Sequence, residues 1–343
     1  MPKIQQFTEE LLKRQVLYGP ETQTLLQSAQ RTIYKMENAT GVGILTRYPV
    51  FTGIELLYND IHMSDSVNQN KLPTPGLMEI NHCRVGRFEC EFPNGQTAYL
   101  GEGDLAVNML TNATSGAWFP LAHYHGISIV VDLPAASRVL AQVAEAMGGM
   151  SFDLYSLQER LCADNTCFIM RSTESIKHIF SELYTAPSGL RSSYIKLKVL
   201  ELFLFLNSEE LFLQQEKRPY FNKEQVHTVK AIKAYLTEHL DRQITLGELS
   251  EKFDMPLTSM KLCFKGIYGS SISAYMHDYR MQYAAALLRQ TTQSITEIAG
   301  QVGYANVSKF SAAFKLDKGA TPLEYRRSFV QMEQNLSLGS GKE

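Results

Sequence analysis

The chain has 343 residues, a formal net charge of −2 and 44% apolar residues. This length exceeds one hydrophobic core, so we predict two or three domains. The sequence has neither a long apolar run nor a charged-then-apolar leader, which predicts a cytoplasmic protein with no membrane contact. Its five cysteines are an odd number without zinc-site spacing, so we expect neither a disulfide framework nor a structural zinc site.

The N-terminal half is predicted to be a β domain that follows one helix. Residues 3–18 have an amphipathic helical pattern to which the sequence assigns no role. Strand-like segments follow from about residue 42 to residue 132. The clearest of them cover residues 53–58, 87–92 and 127–131. Residues 93–95 (PNG) predict a hairpin turn, and many short strands with Gly and Asn turns predict a small barrel or jelly roll.

Large aromatic side chains in this β domain suggest a cavity for a small-molecule ligand, with arginine as a polar anchor. The candidate ligand-binding residues are Arg84, Arg87, Phe88, Tyr99, Trp118 and Tyr124. Phe92 and Phe119 are further rings of this domain that could line the cavity, and the alternative is that all of these rings simply fill the core.

Residues 100–105 (LGEGDL) predict a tight turn before a strand, and they resemble the same region of cupin-like sensing domains. A cupin barrel would raise the question of a metal, because His82, His123 and His125 lie within it. His123 and His125 would fall on one face of a strand. No acidic residue stands at the spacing typical of cupins, so we predict no metal site and no cofactor.

From residue 134 the pattern changes to helices, one starting there, another near residues 172–185 and a third at residues 190–214. The third helix carries a broad apolar stripe. Its residues are Tyr194, Leu197, Leu200, Leu204 and Leu211, with Phe203, Phe205 and Phe212 widening it. Because this stripe is too wide for one barrel face, we predict that it packs partly on a second copy in a homodimer. Burial inside the monomer is the alternative.

The most informative pattern lies in residues 220–328, where one supersecondary unit occurs twice. An offset of fifty residues aligns four pairs of identical residues. The pairs are Phe264 with Phe314, Lys265 with Lys315, Gly269 with Gly319, and Tyr275 with Tyr325. Each copy has the pattern of a short helix, a tight turn and a second helix. This is the helix-turn-helix unit, which places a recognition helix in the DNA major groove.

Each copy also begins with a capping box, formed by Thr245 with Glu248 and by Ser294 with Glu297. These starts are offset by forty-nine residues rather than fifty, so the second turn is predicted to be one residue longer. Between the copies, residues 273–288 predict one amphipathic helix. Such a rod would hold both recognition helices on one side of a duplex, and the pair should read a bipartite site.

Helical spacing separates the inner face of each recognition helix from a face open to DNA. The candidate DNA-binding residues are Thr258, Ser259, Lys261, Leu262 and Lys265 in the first copy, and Val307, Ser308, Lys309, Ser311, Ala312 and Lys315 in the second. Charge agrees with phosphate contact, because residues 217–328 carry sixteen Lys and Arg against ten Asp and Glu. Residues 1–216 carry sixteen against twenty-three.

These residues resemble the DNA-binding domain of the AraC/XylS family of bacterial transcription regulators. The matching motifs are Ile298-Ala299, Val302-Gly303-Tyr304, Ser308, Phe310-Ser311, Phe314-Lys315, Gly319, Pro322 and Tyr325-Arg326-Arg327. The resemblance implies a regulator that binds double-stranded promoter DNA, usually carries a sensing domain, and contacts RNA polymerase if it is an activator.

The chain departs from the family where the family often has an arginine in each recognition helix. Leu262 and Ala312 stand at these positions. Neither side chain can donate a hydrogen bond to guanine. They either contact thymine methyl groups, which would favour A·T pairs, or contact nothing.

We therefore expect an α+β protein that is not an enzyme, with an N-terminal cupin-like β-barrel with flanking helices, followed by an all-α double helix-turn-helix domain. The predicted segments are residues 1–133 (helix and sensing domain), 134–214 (helical connector and dimerisation region), 215–219 (linker), 220–328 (DNA-binding domain) and 329–343 (polar tail). The predicted function is transcription regulation at a bipartite promoter site under control of a small-molecule effector. The alternatives are control by a protein partner and a cupin-type metalloprotein tethered to DNA.

Overall fold

A computed structural model describes residues 22–65, 74–92, 94, 96–112, 114, 116–163, 166–187, 189–208 and 221–328. The chain divides into two compact units, residues 1–223 and residues 224–343. Several predicted features lie outside the described residues. They are the helix at residues 3–18, Pro93 and Gly95 of the hairpin turn, Leu211 and Phe212 of the apolar stripe, the linker at 215–219 and the tail at 329–343.

The N-terminal unit is built on an antiparallel sheet. Its described strands are β1 (Gln23–Gln27), β2 (Thr32–Asn38), β3 (Gly41–Phe51), β4 (Ile54–His62), β5 (Leu77–Glu91), β6 (Gln96–Gly101), β7 (Asp104–Met109), β8 (Gly116–Trp118), β9 (Tyr124–Asp132), β10 (Phe168–Arg171) and β11 (Phe221–Asn222). Hydrogen bonds connect them in the order β1-β2-β3-β4-β9-β5-β6-β11, while β7 and β8 also pair with β5, and β10 pairs with β7. The strands β1 and β2 precede the predicted strand region; β1 is exposed along its length and therefore shows no alternating pattern.

The long strand β5 joins two parts of the sheet. Its first half pairs with β7 and β9, and its second half pairs with β6 and β8. The register with β9 shifts between Cys83 and Val85, next to Gly86, whose φ is +88°. A Cβ at Gly86 would lie 2.2 Å from the carbonyl oxygen of His123. Both the φ angle and the close backbone approach therefore require glycine at this bend.

The two faces of the sheet bury different cores. Residues such as Ile54 and Ile129 point to one face and pack with four helices. These helices are α1 (Leu133–Ala146), α2 (Leu154–Leu161), α3 (Glu174–Thr185) and α4 (Arg191–Asn207). The alternate residues, such as Leu45 and Tyr124, point to the opposite face and form an inner core among the strands. The predicted α+β class is confirmed for this arrangement.

The helix α4 buries most of the predicted apolar stripe within its own unit. Leu200 is 7% exposed and Phe203 is fully buried in the core shared with the sheet. Leu204 and Phe205 are half-buried against the same core. Leu197 is 61% exposed, so it is the part of the described stripe that faces solvent. Burial inside the unit, the alternative to a dimer interface, thus accounts for the inner residues of the stripe.

The C-terminal unit is helical in all its described parts. Its helices are α5 (Lys223–Glu238), α6 (Leu246–Lys252), α7 (Leu257–Tyr268), α8 (Ile272–Gln290), α9 (Ile295–Gln301), α10 (Val307–Lys318) and α11 at residues 322–328. The helix α8 contacts α7 as well as α9 and α10. Its buried residues therefore lie on more than one face, and they include Ile272, Met276, Met281 and Leu288, whereas Tyr283 is 42% exposed.

Candidate nucleic-acid interface and ligand cavity

The two helix-turn-helix copies begin with the same hydrogen-bonded cap. The Thr245 hydroxyl accepts a hydrogen bond from the Glu248 amide at 3.2 Å, and the Glu248 carboxylate accepts one from the Thr245 amide at 2.6 Å. Ser294 and Glu297 repeat this exchange at 3.2 and 2.7 Å. The hydrogen bonds from the cap backbone lower the pKa of both glutamates. Both predicted capping boxes are confirmed.

The turns differ by one residue, as the sequence offset predicted. Residues 253–256 separate α6 from α7, and residues 302–306 separate α9 from α10. Asp254 and Gly303 take positive φ angles of 46° and 78° in these turns. A Cβ at Gly303 would lie 2.4 Å from the carbonyl oxygen of Leu240. Glycine is therefore needed at the second turn for both its φ angle and its lack of a side chain.

The same aromatic pair closes the core of each copy. Phe264 and Phe314 are both fully buried. The Phe264 ring meets Tyr275 edge-on at 5.6 Å and 78°, and the Phe314 ring meets Tyr325 at 5.3 Å and 80°. The predicted duplication is therefore a duplication of packing geometry as well as of sequence.

The recognition helices α7 and α10 also end alike. Each stops at the aligned glycine, Gly269 with φ +84° and Gly319 with φ +76°, in the left-handed conformation typical of helix ends. At the start of α10, the Asn306 side chain accepts a hydrogen bond from the Lys309 amide at 3.0 Å. Cap and stop signals thus set the limits of the helix that would enter the groove.

Most candidate DNA-binding residues are exposed on α7 and α10. The exposed ones are Thr258, Lys261, Leu262, Lys265, Ser308, Lys309, Ala312 and Lys315. Ser259, Val307 and Ser311 are half-buried, and Val307 packs against the core of the second copy. Leu262 is 54% exposed, so its side chain is available to DNA rather than occupied in the core.

One exposed residue of α10 was missed in the sequence. Leu316 is 89% exposed and stands four residues after Ala312. Residues at this spacing lie on the same side of a helix. The spacing was therefore a usable signal, and Leu316 extends the apolar surface beside Ala312.

Two arginines of this unit are engaged by backbone carbonyl groups. Arg280 donates a hydrogen bond to the Arg242 carbonyl at 2.9 Å. Arg326 donates to the Gln293 carbonyl at 2.6 Å and to the Leu288 carbonyl at 3.4 Å. These contacts tie α8 and α11 to neighbouring segments, so the two side chains serve the fold of the unit.

The N-terminal unit contains a cavity on the inner face of its sheet. The centres of water-sized molecules can occupy about 40 Å³ of it, and its empty volume, including the space at its open mouth, is about 660 Å³. Polar residues and thiols line it together with apolar side chains. The lining residues are Glu79, Asn81, Phe88, Cys90, Phe92, Ala98, Leu100, Ala106, Asn108, Leu110, Asn112, Thr114, Cys167 and Ile169.

Among the six candidate ligand-binding residues, Phe88 lines this cavity. Of the other five, Tyr99 and Tyr124 are buried, Arg87 and Trp118 are half-buried, and Arg84 is exposed. The Arg84 guanidinium lies 4.6 Å from the centre of the Tyr184 ring, outside the cavity lining. The predicted arginine anchors and the cavity are therefore not brought together.

Polar side chains from neighbouring strands form one wall of the cavity. Glu79 on β5 stands opposite Asn108 on β7 in the sheet register. Two residues along β5, the Asn81 side-chain oxygen accepts a hydrogen bond from the Ser128 hydroxyl at 2.5 Å. In the described part of the chain, no hydrogen bond or ion pair engages the Glu79 carboxylate. The described lining contains no Lys, Arg or His, so its only formal charge is negative.

The three histidines considered for a cupin metal site have different surroundings. The His82 ring stacks on Phe180 with centroids 4.0 Å apart, and burial lowers its pKa to about 4. The His123 Nδ1 atom lies 3.0 Å from the carbonyl oxygen of Leu121. His125 stands beside Asp60 on the neighbouring strand. The structure therefore does not join these three side chains in one site.

Within the described residues, no helix combines the length and the apolar character needed to cross a membrane.

Comparison with known proteins gives a family match within the C-terminal unit and several similar proteins. Residues 249–328 match the family described as a helix-turn-helix domain. The chain is 27% identical over 118 residues to the HTH-type transcriptional activator RhaR of Mannheimia succiniciproducens, a match that covers 34% of this chain and 42% of RhaR. It is 30% identical over 99 residues to the HTH-type transcriptional regulator ExsA of Pseudomonas aeruginosa, covering 29% of this chain and 36% of ExsA.

Among solved structures, the C-terminal domain of the two-component response regulator YesN from Fusobacterium nucleatum is 34% identical. That match covers 29% of this chain and 98% of the domain, with a TM-score of 0.28. The chain spans less than half the length of the curated relatives RhaR and ExsA.

Proposed function

We propose that the chain is a member of the AraC/XylS family of helix-turn-helix regulators and that it regulates transcription by binding a bipartite promoter site. The observation that carries the proposal is the repeated unit, in which α6 and α9 begin with the same capping box, and α7 and α10 share core rings and end glycines. Both helices expose a lysine and a hydroxyl group on the side away from their cores. These groups suit contacts with phosphates and base edges in the major groove.

The spacing of the two helix-turn-helix copies supports a bipartite site. The helix α8 has 19 residues and is therefore about 28 Å long. Major-groove faces recur on one side of B-form DNA about every 34 Å. Because α8 contacts α7 of the first helix-turn-helix copy and α9 and α10 of the second, it limits how far the two recognition helices can move apart.

The apolar residues of the recognition helices favour an A·T-rich site. Leu262, Ala312 and Leu316 are exposed and can contact only apolar groups in the groove, of which the thymine methyl is the main one. We propose that they contact thymine in the promoter. Guanine would meet no matching donor at these three positions.

The test for DNA contact is promoter binding by Lys261→Ala and Lys309→Ala at several salt concentrations. Sites for this assay would come from footprinting the full chain on fragmented DNA of its source. Each variant should bind more weakly, and the slope of log K against log salt should fall by about 0.9 for each lost phosphate contact. Lys177→Ala removes an exposed lysine from the N-terminal unit and serves as the control. Unchanged affinity and slope in both test variants would refute the contacts.

We also propose that a small-molecule effector binds the cavity of the N-terminal unit. A ligand that binds one arrangement of the protein more tightly than another shifts the population able to occupy DNA, or to contact RNA polymerase if the protein is an activator. The Glu79 carboxylate, which no described residue engages, and the amides of Asn81 and Asn108 favour a small cationic or uncharged polar molecule over an anion.

The effector can be sought by measuring how small amines and polyols change the unfolding temperature of the full chain. Unfolding is monitored by the fluorescence of Trp118. A compound bound in the cavity should stabilise the wild type. An amine should lose this effect in Glu79→Gln, and Glu174→Gln, at an exposed helix position, should retain it. Stabilisation by anions alone would contradict the proposed chemistry. If no compound acts and another protein co-purifies, control by a protein partner becomes the better account.

The predicted homodimer remains part of the proposal. Leu190 and Leu197 are 65% and 61% exposed, and with Tyr194 they stand at the spacing of one helix face. An exposed apolar face of this kind suits an isologous contact between two copies. Leu197→Glu should shift sedimentation toward the monomer, whereas Leu25→Glu, at an exposed position on β1, should not.

A further inference from the structure

A cluster of three side chains that could bind a metal lies on the N-terminal unit, outside the lining of the cavity. Asp60 and His62 belong to β4 and point to the same face because they are two residues apart. His125 belongs to β9 and stands directly opposite Asp60 in the antiparallel register. Cross-strand neighbours at such positions have Cβ atoms about 5 Å apart. The backbone pairing therefore brings the three side chains together.

The ligand atoms have the separations that a bound metal would need. The His62 Nε2 atom lies 2.9 Å from Asp60 Oδ1, and the His125 Nε2 atom lies 3.2 Å from the same oxygen. All three ligand atoms fall within 4.8 Å of one another. In a tetrahedral zinc site with bonds of about 2.0–2.1 Å, neighbouring ligand atoms are about 3.3 Å apart. The cluster needs only small side-chain movements to reach this geometry.

From this arrangement we propose that Asp60, His62 and His125 bind a zinc ion with three protein ligands and an open fourth position. Two imidazole nitrogens and one carboxylate oxygen form a donor set that zinc prefers. Without a metal, both Nε2 atoms compete for one carboxylate oxygen. A zinc ion accepts electron pairs from all three atoms at once, with both rings neutral and protonated at Nδ1.

Exposure makes the site accessible to an ion from solvent. The Asp60 and His62 side chains are 53% and 62% exposed, and that of His125 is 39% exposed. The sequence analysis considers His125 together with His82 and His123 and predicts no metal site. The structure supplies the missing acidic ligand and second histidine from β4, which sequence spacing around His125 did not indicate.

A zinc ion here would link β4 and β9. On the opposite face of these strands, Asn59 donates a hydrogen bond to Ser128 at 2.9 Å, and Ser128 donates to Asn81 in the cavity wall. Zinc binding should therefore raise the unfolding temperature of the N-terminal unit, because a ligand that binds only the folded state stabilises it. The inference does not depend on DNA binding or on an effector.

The test uses the untagged full chain and zinc chloride. Titration calorimetry should show one zinc ion per cluster, and substitution by Co²⁺ should give the visible absorption of a tetrahedral site. His62→Ala, His125→Ala and Asp60→Asn should each weaken zinc binding by roughly tenfold or more, since loss of a ligand exceeds the loss of an outer-shell partner. His123→Ala, two residues from His125, should leave the affinity unchanged.

Two controls separate the outcomes. The described residues contain a second possible group, His277, Asp278 and Asp317, so His277→Ala is measured in parallel. Trp118 fluorescence verifies that each variant of the N-terminal unit is folded, and His62→Gln repeats the test with a side chain that keeps polarity. The proposal is overturned if zinc does not bind saturably, if binding persists in His62→Ala and His125→Ala, or if only His277→Ala abolishes it.

Discussion

Acid should destabilise the N-terminal unit through one buried histidine. His82 on β5 is 5% exposed, its ring stacks on Phe180, and its Nδ1 atom lies 3.5 Å from the Tyr184 hydroxyl oxygen. Burial lowers its pKa to about 4. The folded unit therefore holds this ring neutral over a pH range in which the unfolded chain protonates it.

The magnitude follows from the two pKa values. An ordinary histidine titrates near pH 6.5, and each pH unit between 6.5 and 4 corresponds to about 1.4 kcal/mol. Because the unfolded chain binds a proton that the folded unit does not, the free energy of unfolding decreases as the pH falls through this window. The loss from His82 alone should reach about 3 kcal/mol at pH 4 and should vanish above pH 7.

Urea unfolding of the full chain can measure this loss. The chain has one tryptophan, Trp118, so its fluorescence reports on the N-terminal unit alone. His82→Phe keeps a ring against Phe180 but cannot be protonated, so its stability should fall by about 3 kcal/mol less than the wild type between pH 7 and pH 4. Other titrating groups are common to both proteins and cancel in the difference.

A matched control is His178→Phe on α3, where the histidine side chain is 69% exposed. Its stability should follow the wild-type pH dependence. If the curves of His82→Phe and wild type run parallel from pH 7 to pH 4, the burial of a neutral His82 is not what makes the unit sensitive to acid, and the reasoning is refuted.

Two further predictions concern the C-terminal unit. Gly303→Ala should lower the melting temperature of the C-terminal unit, measured by circular dichroism, more than Gly319→Ala does. A side chain at either positive φ angle costs roughly 1–2 kcal/mol. Only at Gly303 would the new Cβ also meet an atom, the Leu240 carbonyl oxygen at 2.4 Å. Equal losses would show that the approach of Leu240 has no effect. Thr245→Ala and Ser294→Ala should each destabilise the unit by about 1 kcal/mol in calorimetry, and Ser294→Asp should restore most of the loss; full stability of both alanine variants would contradict the capping role.

The helix-turn-helix repeat could be predicted closely because its signals are local. A capping box depends on residues three apart, and the turn at Gly303 depends on one φ angle. The aligned Phe264 and Phe314 occupy equivalent core positions because the same short helices repeat around them. The inward face of α8 was harder to predict, because helices of both helix-turn-helix copies pack against it. Tyr283 on this helix remains exposed.

The sites of the N-terminal unit depended on distant pairing instead. The cavity wall needs the register of β5 with β7, which sets Glu79 opposite Asn108. The metal cluster needs the register of β4 with β9, which sets Asp60 opposite His125. Neither register can be predicted from the spacing of nearby residues. Composition identified rings and histidines in this unit but did not indicate which of them share a surface.

By itself the sequence determined the duplicated helix-turn-helix unit, the limits of its second helices and the exposure of Lys261 and Lys309, because caps, turns and helical periodicity act within a few residues. Only the tertiary structure decided that the arginine anchors lie away from the cavity, that Glu79 lines it, and that His125 joins residues of β4. A one-residue change of register would reverse the face of every side chain on a strand, so long-range pairing determines which groups meet.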